Sequence, residues 1–494
     1  MPGSILGTPN FNLQPIATRT VSPGSYLTSS QFTWLQQYLP DTYEAEFERY
    51  GNRSVSSFLR LVGAELPSNS DMITWAEQGR LHIKYTSVTS GAALGSATAT
   101  FTIGNQVLPD GSTGVPPNNI RVGNTVFIQV NVKSPASTNA ANRAIVTAVG
   151  AGATFTVAYY ETGGQAFAVS DPCTVFVYGS EFQKGTGAVL GANAMGSLDS
   201  SDAGQFFQNS PIILKDKFIV SGSDMAQIGW VQIDTEEGAT GYLWYLKSAS
   251  ETRLRFDDYL ETAMLESIPA ATGSGALAAG LKGTNGVFFE VNRRGNVWGG
   301  GNPTTLTDWD TVVKRLDSQG AIEENALFVN RDLSFAIDNM LAALNGFPAS
   351  GTAGGASFGL FDNDVNMALN LGFSGFRRGY DFYKTDWKYL NDASMRGNLN
   401  QTEASAAGTI TGLLVPAGTT NVYDQVMGRN AKRPFLHVRY RASETEDRRY
   451  KTWVTGGAGG ATTNDIDNME VNFLSERCVC VLGANNFMLF RYGA

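Results

Sequence analysis

The densest chemistry in this sequence lies between residues 437 and 454, "HVRYRASETEDRRYKTWV". Arg439, Arg441, Arg448, Arg449 and Lys451 stand there beside Glu444, Glu446 and Asp447, in a chain that is only 16% charged. A typical soluble protein carries about 25%. Such a concentration suits an active site, a nucleic-acid grip or a contact between subunits. Leu436, Val438 and Tyr440 alternate with His437, Arg439 and Arg441, which places Arg439 and Arg441 on one face of a strand. "RRYKTWVTGG" then reads as the returning strand after a polar turn. Mixed signs at that turn argue against DNA and against a single anionic substrate. Two readings stay open. One is a solvated hairpin tip. The other is an ion-paired seam between copies of the chain, since both signs are available for reciprocal pairing.

Other candidate chemistry is thin. A Ser–His–Asp relay needs an imidazole base, and the chain has only His82 and His437. Each sits in a strand pattern with no G-x-S-x-G motif nearby. Cys478-Val-Cys480 puts two thiols on one face of a strand, but a structural metal needs four ligands. With Cys173, these read as buried reduced thiols. "FDNDVN", with Asp362 and Asp364, lacks the Gly and the distal Glu of a calcium loop. "GNVWGGGN" lacks the G-K-[ST] ending of a phosphate loop. Glu323 and Glu324 are adjacent in sequence, which says nothing about the spacing a glycosidase pair needs. No catalytic residue, cofactor site or metal site is expected.

The 494 residues suffice for two to four domains. Glycine is frequent, at 55 residues, and 42% of the chain is hydrophobic. A surface this neutral and glycine-rich suits a protein whose exterior lies against neighbours. The formal net charge of −9 is opposite to what a phosphate-gripping protein displays, so any relation to nucleic acid is containment. The N-terminal "MPGSILGTPNFNLQPIATRT" has no signal-peptide core. No window approaches the roughly 20 apolar residues of a membrane helix. We therefore expect a chain made soluble, without a Sec-type export signal and without a membrane partner.

The elements that must position the charged segment follow from periodicity. Residues 1–40 read as an extended arm. A helical region, 41–70, opens at Asp41 with Glu44 completing a capping box, carries a stripe through Phe58 and Leu59, and ends at Pro67. Residues 71–85, "DMITWAEQGRLHIKY", alternate as a strand. Between 87 and 179 short β-type runs separated by turns read as a small sandwich or barrel. Two further strands lie in "PIILKDKFIVSGSD". Residues 238–268 form the longest helix, about 45 Å at 1.5 Å per residue. "VFFEVNRRGNVWGGGNP" reads as strand then loop. Helices with Trp309, Val312 and Leu316, closed by Gly320, and with Leu333, Ile337 and Met340, flank the strand "NALFVN" and suggest a small α/β domain. The tail returns to β through "MEVNFL", "CVCVL" and "NNFMLF".

This order resembles the major capsid protein of tailed double-stranded DNA bacteriophages, the Hong Kong 97-type fold, with a flavour most like crAss-like phages. "SEFQKGTG" with "FFQNSPIILKDKFIVSGSDMAQIGW" looks like the return of an E-loop, and "WDTVVKRLDSQGAIEENALFVNRDLSFAIDNML" with "GFSGFRRGYDFYKTDWKYLND" looks like an A-domain. The resemblance implies an α+β fold. Its parts would be an N-terminal arm (1–40), a helical region (41–70), an E-loop (71–86 and 180–235), a P-domain with a spine helix (236–300), an A-domain (301–430) and closing P-domain strands (431–494). The β-type block at 87–179 is an inserted all-β domain beyond the minimal fold. No charged helical N-terminal segment of a built-in scaffold is present, and nothing identifies a Lys–Asn cross-linking pair.

By the same resemblance the protein is a non-enzymatic virion component, made in a host bacterial cytoplasm. It forms hexamers and pentamers of an icosahedral head and encloses DNA without binding it specifically. It meets a portal protein and carries an auxiliary, decoration or head-fibre protein on the inserted domain. Subunit contacts are expected at Arg439, Arg441, Glu444, Glu446, Asp447, Arg448 and Arg449, and on the outgoing E-loop strand at Trp75, Glu77 and Arg80. The alternatives are another virion part, such as a tail sheath, and a β-rich carbohydrate-binding or carbohydrate-active protein. A cleft with converging carboxylates or stacked aromatics discriminates the last.

Overall fold

A computed structural model describes residues 58–59, 64–77, 82–108, 111–135, 137–169, 171–185, 205–225, 233–234, 240–241, 244–345, 374–392, 394–397, 409–424, 429–458 and 463–492. The arm at 1–40 lies outside these residues, as does the Asp41–Glu44 capping box. The chain divides into two compact units, 74–208 and the remainder.

Among its described residues the larger unit holds two large sheets, beside two two-stranded ones. The first contains β1 (Ala64–Ser68), β2 (Ile212–Ser221), β3 (Leu436–Arg441), β4 (Lys451–Gly456) and β5 (Asn468–Val481). The spatial order is β1–β3–β5–β2, with β4 also on β5. The 14-residue β5 organises it. One edge of β5 pairs with β2 from Asn468 to Arg477. Its other edge is shared end to end, by β4 opposite 469–474 and by β3 opposite 477–481. β1 lies parallel to β3, with Pro67 opposite Tyr440. Residues 64–68 are thus a strand rather than the end of the 41–70 helix. Pro67 is tolerated because this strand is at the sheet edge, where a missing N–H breaks no second ladder.

Helix α1 (Trp244–Glu266) runs for about 35 Å at 1.5 Å per residue. Phe256 and Leu260 pack on Phe473 of β5. Its last turn, Met264 and Leu265, enters the main core with Val438, Val479 and Val481. Arg255 ties it to Asp216 of β2 at 2.8 Å. The helix α2 (Val287–Arg294) occupies the stretch read as a strand. Val287, Phe288 and Val291 share its buried face. Glu290 and Arg294, four residues apart, pair at 2.5 Å with both side chains 2% exposed.

The second sheet is six-stranded. Its order is Asn296–Trp298, Met488–Arg491, Ile410–Pro416, Glu324–Val329, Tyr380–Asp386, Gly375–Arg378. Helices α3 (Leu306–Gln319) and α4 (Arg331–Asn345) cover it. Trp309, Val312 and Leu316 from α3 and Leu333, Ile337 and Met340 from α4 form one core with Leu327, Phe382, Leu414 and Phe490. Thr305 caps α3 in a reciprocal box with Asp308, and Gly320 ends it at φ 68°, a left-handed conformation that favours glycine. The terminal strand Met488–Arg491 belongs here, between 296–298 and 410–416. The α/β unit therefore extends beyond 301–430, and the segment 431–494 contributes to both large sheets.

The smaller unit is a closed six-stranded barrel. Its order is Cys173–Ser180, Lys84–Ser90, Thr98–Ile103, Thr154–Tyr159, Ala141–Val149, Asn124–Val130, and back to the first. Every pairing is antiparallel. Alternate residues such as Phe101, Ile103, Val126, Ile128, Phe155 and Val157 fill the interior, as the two-residue side-chain period requires. Across its described residues the stretch 71–85 is not one strand. Ile73–Glu77 pairs with Gln205–Asn209, whereas Tyr85 already points into the barrel. The barrel thus starts at residue 84, and Ile212–Ser221 belongs to the first sheet rather than to a returning loop.

Candidate functional site: a charged excursion on a sheet edge

The segment 437–454 is not a hairpin. β3 and β4 run in the same direction along one edge of β5, and residues 442–450 form an excursion between them. The excursion is closed at its neck. Ala442 and Asp447 form a bridge, Arg448 donates its N–H to Arg441 O at 2.9 Å, and Ser443 donates to Glu446 O at 2.8 Å. The Glu476 N–H donates to Arg448 O at 3.0 Å, so the ladder along β5 is bridged by the excursion rather than broken.

The charges are satisfied largely within the chain. Arg441 pairs with Asp71, and lies 3.6 Å from Glu476. Arg448 reaches the same Glu476 carboxylate at 3.0 Å. Arg449 pairs with Glu65 of β1, which also holds Arg477 at 3.3 Å. Arg477 is 7% exposed and donates to Arg449 O at 2.9 Å and to Ser475 Oγ at 2.8 Å. Lys451 pairs with Glu446 at 2.8 Å. The Asp447 carboxylate accepts the Arg449 N–H at 2.8 Å. The guanidinium of Arg449 also sits 5.7 Å over the Tyr440 ring. Arg439 instead lies opposite Cys478 in register. Glu444 is exposed at the tip and has no partner among the described residues.

Glu65, Asp71, Glu476 and Arg477 complete this network, and sequence reading did not name them. Their partners lie hundreds of positions away, apart from those on β5. One signal was available: Glu476-Arg477 is a charged pair inside an apolar β-run, and such a pair needs partners when buried. Beside the network lies a cleft of about 560 Å³ lined by Leu59, Arg253, Asp257, Glu261 and Tyr450 as well as Glu65, Arg449 and Arg477. It carries both signs, as the excursion does.

A hydrogen bond from Arg441, and then its charge, holds the Asp71 carboxyl below the ordinary carboxylate range. Lys451 does the same for Glu446. A carboxyl lowered in the folded state contributes stability above its unfolded value, about 4. That contribution is lost as pH falls through the lowered folded value. Amide protection across 441–451, corrected for intrinsic exchange rates, should be constant from neutral pH to about 5 and fall below about 4. Protection that persists unchanged to about pH 2 would show that the pairs do not hold the excursion.

The remaining candidates are dispersed. His437 is buried opposite Cys480, and its Nδ1 lies 3.3 Å from Pro434 O. Cys478 and Cys480 are buried neighbours, and the hydrogen bond with Cys480, then burial, pushes the Cys478 thiol up. Among the described residues no group of three or more His, Cys, Asp and Glu is placed to hold a metal ion. His82 is exposed, as are Glu323 and Glu324. "GNVWGGGN" forms the strand Asn296–Trp298 and a loop in which Trp298 Nε1 donates to Gly301 O at 3.0 Å. Asp362, Asp364 and Arg80 lie outside the described residues. Trp75 donates to Glu77 Oε1 at 2.9 Å, and its ring lies 6.3 Å from that of Phe207.

No protein-family model matches this chain, and no curated protein matches it. Among solved structures, it is similar to one described as the capsid of a native GTA particle, at 9% identity and TM-score 0.36, covering 93% of this chain and 97% of that one. It is similar to the capsid structure of the cyanophage P-SCSP1u at 8% identity and TM-score 0.33, covering 98% and 99%. A structure from Microbacterium phage Oxtober96 matches at 11% identity and TM-score 0.33, covering 94% and 98%.

Proposed function

We propose that this chain is the major shell subunit of an icosahedral bacteriophage head, assembling as hexamers and pentamers around double-stranded DNA. The observation that carries this reading is the order of elements. A paired strand excursion, Ile73–Glu77 with Gln205–Asn209, is followed by a long helix packed on the longest strand and then by a small α/β unit. That is the order the sequence resemblance implies for a Hong Kong 97-type subunit. The net charge of −9 fits a wall that contains DNA without gripping it. The barrel is then the inserted domain, facing outward, where an accessory protein docks. The portal is a further partner in the same reading, and the virion is the site of action.

Electron microscopy of the chain expressed alone and with a scaffold is the direct test. Shells or capsomers are expected. A stable monomer that forms neither overturns the proposal.

The excursion then takes a divided role. Arg441, Arg448 and Arg477 hold it in place, while Glu444 and the half-exposed Arg449 and Lys451 face outward for a neighbouring copy; Trp75 and Glu77 of the strand Ile73–Glu77 are further contact residues in this reading. Glu444→Lys should leave unfolding unchanged within about 0.5 kcal/mol and reduce the yield of shells. Arg441→Glu sets a carboxylate beside Asp71 and Glu476, and should lower subunit stability before assembly is reached. Normal shells from Glu444→Lys would return the tip to ordinary solvated surface.

A further inference from the structure

The barrel carries a second cluster of aromatic and charged side chains. Phe127 stands directly opposite Phe176 on one neighbouring strand and Arg143 on the other. The two rings lie 5.3 Å apart, and the Arg143 guanidinium sits 5.4 Å over Phe127. After Val177 the register shifts, so Tyr178 leaves the ladder and stands 51% exposed. Tyr160, 46% exposed, donates its hydroxyl hydrogen to Glu181 Oε2 at 2.5 Å. The Glu161 carboxylate is fixed by the Arg143 N–H at 2.9 Å and by Asn142 Nδ2 at 3.3 Å. Thr125, Arg143, Tyr160, Glu161, Tyr178 and Glu181 line an open cleft of about 730 Å³.

We propose that this cleft binds neutral sugars. A pyranose ring has an apolar face that lies against an aromatic ring, and adjacent hydroxyls that meet planar carboxylate or guanidinium groups in pairs. Tyr160 and Tyr178 supply the aromatic surface. Glu181 and Glu161, one held by a phenol and the other by a backbone N–H, supply fixed acceptors. The guanidinium of Arg143 supplies donors, none of which has a protein acceptor among the described residues. The pattern of a few fixed polar groups amid aromatic faces is that of a small-ligand site. Two carboxylates against one guanidinium disfavour a phosphate or a sulfate. Residues 84–180 hold Lys84, Arg121, Lys133 and Arg143 against Asp110, Glu161 and Asp171, so the barrel has no basic face for a nucleic acid. The inference is independent of whether the chain builds a shell.

The test is the full chain on an array of immobilised neutral and acidic glycans, followed by calorimetric titration with the soluble form of whatever neutral glycan is bound. Saturable binding to a neutral glycan is expected. It should weaken at least about tenfold, or about 1.4 kcal/mol, in Tyr178→Ala and in Glu181→Gln. Val132→Ala, which alters an exposed side chain outside the cleft lining, should leave it unchanged. Unaltered thermal melting of Tyr178→Ala separates lost binding from lost folding. No neutral-glycan signal overturns the proposal, as does binding to sulfated glycans alone or equal binding by Tyr178→Ala. Failed assembly of Tyr178→Ala, with no glycan signal from the parent, makes the cleft an intersubunit contact and overturns it as well.

Discussion

Trp309→Ala should cost the α/β unit about 3–5 kcal/mol, the range for removing a large buried aromatic. The indole is fully buried among Phe376, Phe382 and Phe490, with ring centroids 4.8, 5.4 and 5.8 Å away. It joins α3 to three strands that are distant in sequence, so its loss opens a cavity that no single element can collapse into. Trp309→Phe should behave differently. The indole Nε1 is buried without a hydrogen-bond partner among the described residues, and an unmet buried donor is itself unfavourable by about 1–3 kcal/mol. Phenylalanine leaves a smaller void and removes that donor, so its net cost should stay below about 1.5 kcal/mol. Hydrogen exchange of the Glu324–Val329 amides under increasing urea reads the difference locally. Equal losses in both variants would show that the indole nitrogen has an unseen partner.

The second large effect is expected at Glu290. Its carboxylate accepts from Asn285 Nδ2 at 2.7 Å and Arg294 Nε at 2.5 Å, and Arg294 also donates to Val481 O at 3.0 Å. Glu290→Leu leaves a buried guanidinium without its counter-charge, which should cost about 3–5 kcal/mol. Glu290→Leu combined with Arg294→Met removes both charges and should recover most of that loss. A double variant as unstable as the single one would mean that Arg294 matters through Val481 rather than through Glu290. The measurement is urea unfolding of Glu290→Leu, Arg294→Met and the double variant, with the coupling taken from the cycle.

Both sites bear on what could be read before the structure. The α3 face was legible because Trp309, Val312 and Leu316 repeat at helical spacing and Gly320 marks the stop. Helix α2 was not. "VFFEV" is rich in β-favouring residues, and that composition outweighed the i, i+4 relation of Glu290 to Arg294 and the bounding Gly286 and Gly295. Propensity here yields to tertiary burial. The barrel was legible as strands and turns. Its closure through Lys84–Ser90 and Cys173–Ser180 was not, because pairing across more than eighty residues leaves no local trace.

The charged segment was found but misread. Alternation gives a strand at 436–441 and another at 451–456, and two strands joined by a short polar turn ordinarily make a hairpin. Here one long strand, Asn468–Val481, receives both along the same edge. Local pattern cannot distinguish a pair that folds back on itself from a pair that shares a third partner. The acidic members Glu65 and Asp71 were hidden for the same reason: their significance exists only once β1 lies beside β3.

The closure of the barrel bears on how such a chain changes over generations. The first barrel strand and the last pair directly, Lys84 opposite Phe176 and Val88 opposite Cys173. Lys84 and Phe176 are therefore one strand spacing apart, about 5 Å. A segment attached in this way can be shortened to a tight turn, or exchanged for another domain whose termini are adjacent, without moving the flanking backbone. Residues 84–176 thus have the geometry of a cassette. Their surface can diverge, or be replaced outright by recombination or by design, while the sequence on either side is conserved.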